Sequence, residues 1–153
     1  MVSPHFTMPK VQILVANAAQ ARFFTVDSPT GDLHELSVDV NPDARLRSEE
    51  LGTDRPGRFV DSSAYGRSAA EDPTDLKDVT IERFARQLSE KLDLERTQGR
   101  LERLYLVSSP PFLGELRKHL NDNVKRLIVD EIGKDYGQLA ARELRKQLPE
   151  RLK

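Results

Sequence analysis

A run of six residues near the start of the chain constrains the fold more than any other segment: Val11-Gln12-Ile13-Leu14-Val15-Ala16. Five of the six residues are apolar, three of them are β-branched, and Asn17 follows the run. A strand of this composition is typically buried on both faces, which places it inside a sheet rather than at an edge. The chain must therefore supply further strands on both sides of this one and helices to cover it.

The next two segments predict the strands on one side. Residues 21–27, Ala-Arg-Phe-Phe-Thr-Val-Asp, follow after a short turn and indicate a hairpin partner for the first strand. The turn residues Ser28-Pro29-Thr30-Gly31-Asp32 separate this partner from residues 33–40. Apolar residues alternate there at Leu36, Val38 and Val40, which predicts a half-exposed third strand at an edge of the sheet.

Helical periodicity begins at Asp75, with Thr74 or Asp75 as its cap, and Gln98-Gly99 predicts its end. The apolar residues of this helix lie close to one face: Leu76, Val79, Ile81, Phe84, Ala85, Leu88 and Leu92.

Two more strands follow. Residues 101–108 predict a buried fourth strand, and Ser109-Pro110-Pro111 predicts the start of a helix, because proline is tolerated in a first turn. Residues 125–132 predict a fifth strand, and Gly133-Lys134-Asp135 leads into a last helix with inward-facing residues at Ala140, Ala141, Leu144 and Leu148. The predicted order β-β-β-α-β-α-β-α gives an α/β fold. Its five-stranded mixed sheet has the order 3-2-1-4-5 with helices packed on it, which is the ribonuclease H-like topology.

Length and composition limit the organisation further. A chain of 153 residues predicts one domain, over residues 10–150, preceded by a disordered tail at 1–9. Residues 41–74 are rich in Pro, Gly, Ser, Asp and Arg and predict a long loop. The absence of cysteine excludes disulfides and Cys-zinc sites. The net charge of -1 excludes a strongly basic nucleic-acid binder, although a local basic patch stays open. No apolar run approaches the ~20 residues of a membrane span, so we expect a cytoplasmic protein without membrane contact.

The predicted topology invites a test for nuclease chemistry. Two-metal catalysis needs several carboxylates that converge from the strand ends and helices of such a fold. The first strand carries no carboxylate, and the fourth ends in Ser108-Ser109. Glu82 on the first helix and Glu143 on the last could supply only two. The three histidines, His5, His34 and His119, have no metal-ligand spacing, and no phosphate-binding glycine motif is present. We therefore expect no enzyme activity, no metal and no cofactor.

The predicted loop carries the remaining chemistry. Its candidate binding residues combine arginine, glycine and an aromatic side chain: Arg55, Gly57, Arg58, Tyr65, Gly66 and Arg67. Arginine binds phosphate in a bidentate manner, glycine lets a backbone approach a ligand, and aromatic rings stack on bases. This pattern indicates contact with RNA or another phosphorylated partner. The alternative is a solvated loop whose arginines pair with nearby carboxylates such as Asp54, Asp61, Glu71 and Asp72.

Three stretches resemble the bacterial host attachment protein family, and together they span about residues 10–148. They are residues 13–24, the set 54–58, 61–63, 71–77 and 84–88, and the set 104–107, 111–117 and 131–135. The chain departs from the family pattern at Tyr136-Gly137, where Leu-Thr is expected.

The resemblance implies a role in attachment to host cells, which a protein without signal or anchor would exert indirectly. The family is also similar to the middle domain of archaeal and eukaryotic peptide release factors, where a Gly-Gly-Gln loop precedes the long helix. Here the corresponding segment is Tyr65-Gly66-Arg67-Ser68-Ala69, without that tripeptide. We therefore expect a translation-associated module that contacts the ribosome or RNA without catalysing peptide release. The alternative is a regulatory domain that binds a protein partner. The oligomeric state is left open.

Overall fold

The computed structural model describes residues 8–42 and 66–153, with the backbone alone for residues 66–77. One five-stranded sheet forms the centre of this part of the chain. Its strands are β1 (Val11–Ala16), β2 (Gln20–Thr25), β3 (His34–Val40), β4 (Arg103–Ser108) and β5 (Ile128–Ile132). The helices are α1 (Gly66–Thr97), α2 (Pro110–His119), α3 (Asp122–Lys125) and α4 (Ala141–Lys146).

The strand order is β3-β2-β1-β4-β5, as the sequence predicts. β1 pairs antiparallel with β2 and parallel with β4, and β4 pairs parallel with β5. All six residues of β1 are buried, which confirms its central position. The fold is thus α/β with a five-stranded mixed sheet, and the finer ribonuclease H-like assignment stays a prediction.

Alternating residues of β1 enter two separate hydrophobic clusters, because successive side chains of a strand point to opposite faces. Leu14 packs with Phe84 and Phe112, so α1 and α2 cover one face of the sheet. Ile13 packs with residues of the C-terminal segment, including Leu144, so that segment covers the other face. Burial on both faces explains why the first strand tolerates few polar side chains.

The first helix differs from its predicted start. α1 begins at Gly66 rather than at Asp75, so residues 66–74 of the predicted loop are helical. Pro73 favours a later start, because proline lacks an N–H and fits best in a first turn. The predicted end is confirmed: the helix stops at Thr97, and Gly99 adopts a φ of 78° that favours glycine. Residues 43–65, the remainder of the predicted loop, lie outside the described residues.

Several smaller predictions were wrong. Val79, expected on the buried face of α1, is 46% exposed. Residues 122–125 form the short helix α3, so the fifth strand begins at Ile128 rather than at Lys125. Ala140 is exposed, and α4 begins after it rather than directly after Asp135. Met8 packs against the core, which shortens the predicted tail, and residues 1–7 lie outside the described part.

Candidate functional site

A compact hydrogen-bonded cluster occupies the carboxyl ends of β1 and β5. The Asn17 side chain accepts hydrogen bonds from the backbone N–H groups of Ala19 (2.8 Å) and Gln20 (3.0 Å). Its amide donates to Asp135 Oδ1 at 3.1 Å, and the same oxygen accepts from the Gly137 N–H at 3.1 Å. Asn17 therefore ties the β1–β2 turn to the loop that follows β5.

Two side chains of β2 complete this cluster, which we call the Asn17 cluster. Gln20 Nε2 donates to the Gly137 carbonyl at 3.1 Å. Arg22 Nη1 donates to the same carbonyl at 3.2 Å and to that of Leu139 at 2.7 Å, while its Nε pairs with Glu35 at 3.2 Å. Its polar groups are thus largely satisfied by one another. A cluster of this kind stabilises the loop and leaves little capacity for a ligand.

In a nuclease of the predicted ribonuclease H-like topology, carboxylates would be expected at the ends of the first and fourth strands. Here β1 is followed by Asn17, β4 ends at Ser108 with Ser109 after it, and Asp135 is held in the Asn17 cluster. Among the described residues, no group of three or more His, Cys, Asp or Glu side chains could hold a metal ion.

Two histidines and two glutamates, for which the sequence predicts no functional role, make the following contacts in the fold. His34 pairs with Asp27 at 3.3 Å on the surface. His119 lies 3.8 Å from Glu82, beside a groove of about 750 Å³ between α1 and α2, and its Nε2 has no hydrogen-bond partner within the described chain. Glu143 pairs with Lys146 on α4. Neither glutamate joins a carboxylate cluster in the described part.

An open groove of about 580 Å³ lies at the opposite, amino ends of β4 and β5. We call it the arginine groove, because three arginines from three elements line it. Arg96 comes from the last turn of α1, Arg103 from the start of β4, and Arg126 from the end of α3. Gly99 and Leu101 also line the groove.

The first of these arginines is neutralised within the chain. Arg96 pairs with Asp93 one turn earlier, at 2.8 Å. Hydrogen bonds from Asn121 and then from Arg96 lower the pKa of Asp93, so its carboxylate stays ionised. Arg100, outside the groove, is similarly held by Glu95 at 2.6 Å. The hydrogen bond from Arg100 is the largest cause that lowers the pKa of Glu95.

The other two arginines carry charge that no described carboxylate neutralises. Arg103 Nη1 donates to the Glu102 carbonyl at 3.0 Å, and Arg126 Nη1 donates to Asn123 Oδ1 at 3.1 Å. These neutral acceptors orient the guanidinium groups and leave further N–H donors of each free within the described structure. One acidic side chain, Glu102, also lines the groove, and its Oε1 accepts from the Lys10 N–H at 2.8 Å.

Planar guanidinium groups bind phosphate oxygens through paired hydrogen bonds. Two such groups on one open groove can therefore hold a phosphorylated ligand by charge and by geometry. The sequence pattern did not reveal this site, because Arg103 and Arg126 stand far apart in a chain with arginines throughout. The parallel pairing of β4 with β5 brings their elements together.

Six residues of the predicted loop are candidates for binding, and the structure describes the backbone of two of them. Arg55, Gly57, Arg58 and Tyr65 lie outside the described residues. Gly66 begins α1, and Arg67 follows it in the first turn, so both belong to a helix rather than to a loop.

Comparisons with known proteins place this geometry in context. Among the described helices, none has the length and apolar composition to cross a bilayer. Curated proteins gave no significant match. One solved structure with a similar arrangement is the "PilM-PilN type IV pilus biogenesis complex", at 19% identity and a TM-score of 0.38. That match covers 94% of this chain and 43% of the other, so the chain spans less than half the length of that protein.

A family match covers most of the sequence. Residues 12–148 match the family described as "Protein required for attachment to host cells". The matched region includes all of the strands except the first residue of β1, as well as the Asn17 cluster and the arginine groove from Arg96 to Arg126. This chain therefore belongs to the family of proteins required for attachment to host cells.

Proposed function

We propose that this member of the host attachment family is a non-catalytic, translation-associated binding protein that contacts RNA, with the RNA phosphates held in the arginine groove. The observation that carries the proposal is the pair of arginines, Arg103 and Arg126, without a described carboxylate partner. Phosphate contacts supply most of the sequence-independent affinity for nucleic acid, and they need local rather than net positive charge. The net charge of -1 is therefore compatible with this role.

The non-catalytic part of the proposal is supported by the strand ends. Asn17 and Ser108 stand where a nuclease of this topology would carry carboxylates. An alternative function, a metal-dependent hydrolase, would depend on Glu82, which lies on the surface of α1 beside His119. Metal-dependent cleavage of RNA that Glu82→Gln abolishes would revive that alternative.

The loop arginines form a second part of the proposal. Tyr65, Gly66 and Arg67 belong to the segment that corresponds to the release-factor loop, and Arg55, Gly57 and Arg58 precede it in the sequence. We propose that they add contacts to RNA or to the ribosome beyond those of the groove. The absent Gly-Gly-Gln argues for binding without peptide release.

Fluorescence anisotropy with a labelled single-stranded RNA at low salt tests the groove directly. The double variant Arg103→Ala/Arg126→Ala removes two charges from the groove, and we expect it to weaken binding by about 10-fold or more, at about 1 kcal/mol or more for each charged contact. The matched control is Arg142→Ala/Arg151→Ala, which removes the same charge from two exposed arginines elsewhere. We expect this control to weaken binding less than 3-fold, because it leaves the groove intact.

The triple variant Arg55→Ala/Arg58→Ala/Arg67→Ala separates the loop from the groove. If the triple variant loses binding and the groove variant does not, the loop is the site and the groove assignment is wrong. Failure of the unaltered protein to bind RNA at low salt, together with failure to co-sediment with ribosomes, would refute the RNA-binding function itself.

A second candidate function, a regulatory domain that binds protein, is favoured by a different observation. The edge strand β3 exposes three large apolar side chains, at Leu36, Val38 and Val40. A pull-down that recovers protein without ribosomal RNA would favour this candidate over the first.

A further inference from the structure

We propose that β3 pairs antiparallel with β3 of a second copy of this chain, which joins the two five-stranded sheets into one. This inference concerns a surface remote from the arginine groove and does not rest on RNA binding. It does give the protein-binding candidate a definite partner.

The outer edge of β3 has no neighbouring strand in the part of the chain that the structure describes. β3 is the longest strand of the sheet, with seven residues, and it pairs only with β2 among the described residues. Leu36, Val38 and Val40 are 52%, 48% and 44% exposed, respectively. An edge strand of this kind presents free N–H and C=O groups beside apolar side chains, which is a template for another strand.

Charged side chains often prevent an edge strand from pairing with another strand, but the two carboxylates of β3 pair with cations of the same chain. Glu35 pairs with Arg22 at 3.2 Å. Asp39 pairs with Lys91 of α1 at 3.1 Å, and the same ammonium lies 4.3 Å from the centroid of the Phe23 ring. The strand contains neither lysine nor proline, the residues that most often block edge pairing.

The other edge of the sheet shows the contrast. β5 has five residues, and only Val129 among them is a large exposed apolar side chain, at 38%. Asp130 and Glu131 follow it directly, and Glu131 pairs with Arg117. β5 is therefore the shorter of the two edges and exposes fewer large apolar side chains, and we expect no pairing there.

The sequence of β3 is self-complementary in one register. Two identical antiparallel strands are related by a two-fold axis perpendicular to the sheet. Because directly opposite side chains lie on the same face of the sheet, this axis must lie at one residue position, and that residue faces its own copy. An axis at Val38 places that residue opposite its own copy and Ser37 opposite Asp39. Leu36 is the extra residue of a β-bulge against Phe23 and Phe24 and lines a groove with Phe23 and Lys91, so it does not extend this pairing.

The two neighbouring registers place like charges directly opposite one another. An axis at Ser37 places Glu35 opposite Asp39, and an axis at Asp39 places that carboxylate opposite its own copy. Directly opposed like charges destabilise strand pairs. The register centred on Val38 is therefore the one that pairs apolar residues and separates the carboxylates.

Engineered cysteines test this register without interference, because the chain has no cysteine of its own. In the proposed dimer the two Val38 Cα atoms are about 4.5–5.5 Å apart, within the range that a disulfide spans. We expect Val38→Cys to form a covalent dimer under mild oxidation. We expect Val40→Cys and Val129→Cys to cross-link far more slowly, because their copies are not opposite one another.

Sedimentation of the cysteine-free protein over a concentration series completes the test. We expect a dimer that Val38→Lys converts to a monomer, whereas Val129→Lys leaves it unchanged. A monomer at every concentration would overturn the proposal, as would a dimer in which Val40→Cys or Val129→Cys cross-links as fast as Val38→Cys. Because RNA binding is measured separately, failure of the dimer leaves the proposed RNA contact untouched, and the reverse also holds.

Discussion

The polar side chains at the two ends of the parallel strands differ in how far they are paired with one another. At the carboxyl ends, Asn17, Asp135 and Gln20 satisfy one another around the Gly137 backbone. At the amino ends, Arg103 and Arg126 line an open groove and donate to the neutral acceptors Glu102 O and Asn123 Oδ1, although the Glu102 carboxylate also lines the groove. Ligands of α/β proteins usually bind at the carboxyl ends of the strands. In the described part of this chain, two arginines without a carboxylate partner line a groove at the amino ends instead, so side-chain chemistry rather than fold analogy identifies the candidate site.

The largest effect is expected where a carboxylate is introduced directly after β1, at Asn17. Asn17→Asp removes the donor to Asp135 and places two carboxylates at the 3.1 Å separation that the amide now occupies. We expect a loss of about 2–3 kcal/mol in the free energy of unfolding at neutral pH, because a charged hydrogen bond is replaced by repulsion. Urea denaturation measures this loss.

The double variant Asn17→Asp/Asp135→Asn is the control, because it returns a donor to the pair. We expect it to recover most of the lost stability. Equal stability of Asn17→Asp and the unaltered protein would show that the Asn17 cluster does not hold the carboxyl end together.

A smaller effect is expected at Gly137. A Cβ atom there would lie 2.9 Å from Asn17 Nδ2 and 3.3 Å from Asp135 Oδ1. We expect Gly137→Ala to destabilise the fold by about 1–2 kcal/mol, because a hydrogen-bonded side chain must move. Gly114→Ala is the matched control, since its Cβ meets nothing within 4 Å in the interior of α2, and it should stabilise slightly. A loss in Gly114→Ala as large as that in Gly137→Ala would contradict this account.

The amino end can be altered by releasing an arginine that is now paired. Glu95→Gln weakens the hold on Arg100, and Gln12 also donates to Glu95 at 3.1 Å. We expect a loss of about 1 kcal/mol in stability at neutral pH, together with slightly tighter RNA binding. Because folding lowers the pKa of Glu95 from its ordinary 4.5, its contribution is present above about pH 4.5.

The same contribution should disappear as the pH falls through the lower pKa of the folded state. The stability difference between Glu95→Gln and the unaltered protein should therefore narrow in acid, as thermal melts at several pH values can show. A difference that stays constant down to pH 2 would contradict the assigned role of the ionised carboxylate.

The strand order could be predicted because it depends on local hydrophobic pattern. A strand that is apolar on both faces must be central, and the alternation in residues 33–40 indicates an edge. The start of α1 could not be predicted, because Pro73 favours a helix that begins near it, whereas α1 begins at Gly66. Val79 fits the apolar stripe of α1 in sequence, yet it lies at an exposed position beside the α1–α2 groove.

The candidate site could be predicted less well than the fold. The sequence predicts a binding site at the loop arginines because they are close together in sequence, but a groove is formed by residues that are close in space. Arg103 and Arg126 belong to β4 and α3, and only the pairing of β4 with β5 brings them to one surface. Whether an arginine is already paired is likewise visible only in the folded chain, as the contrast between Arg96 and Arg103 shows.

The salt dependence of RNA binding tests the central claim most directly. Each phosphate contact with a single strand contributes about 0.7 to the slope of log affinity against log salt concentration. The account predicts that Arg103→Ala/Arg126→Ala lowers the magnitude of this slope by about 1.4, whereas Arg142→Ala/Arg151→Ala leaves it nearly unchanged. Equal slopes for the groove variant and the unaltered protein would contradict the claim that the arginine groove holds RNA phosphates.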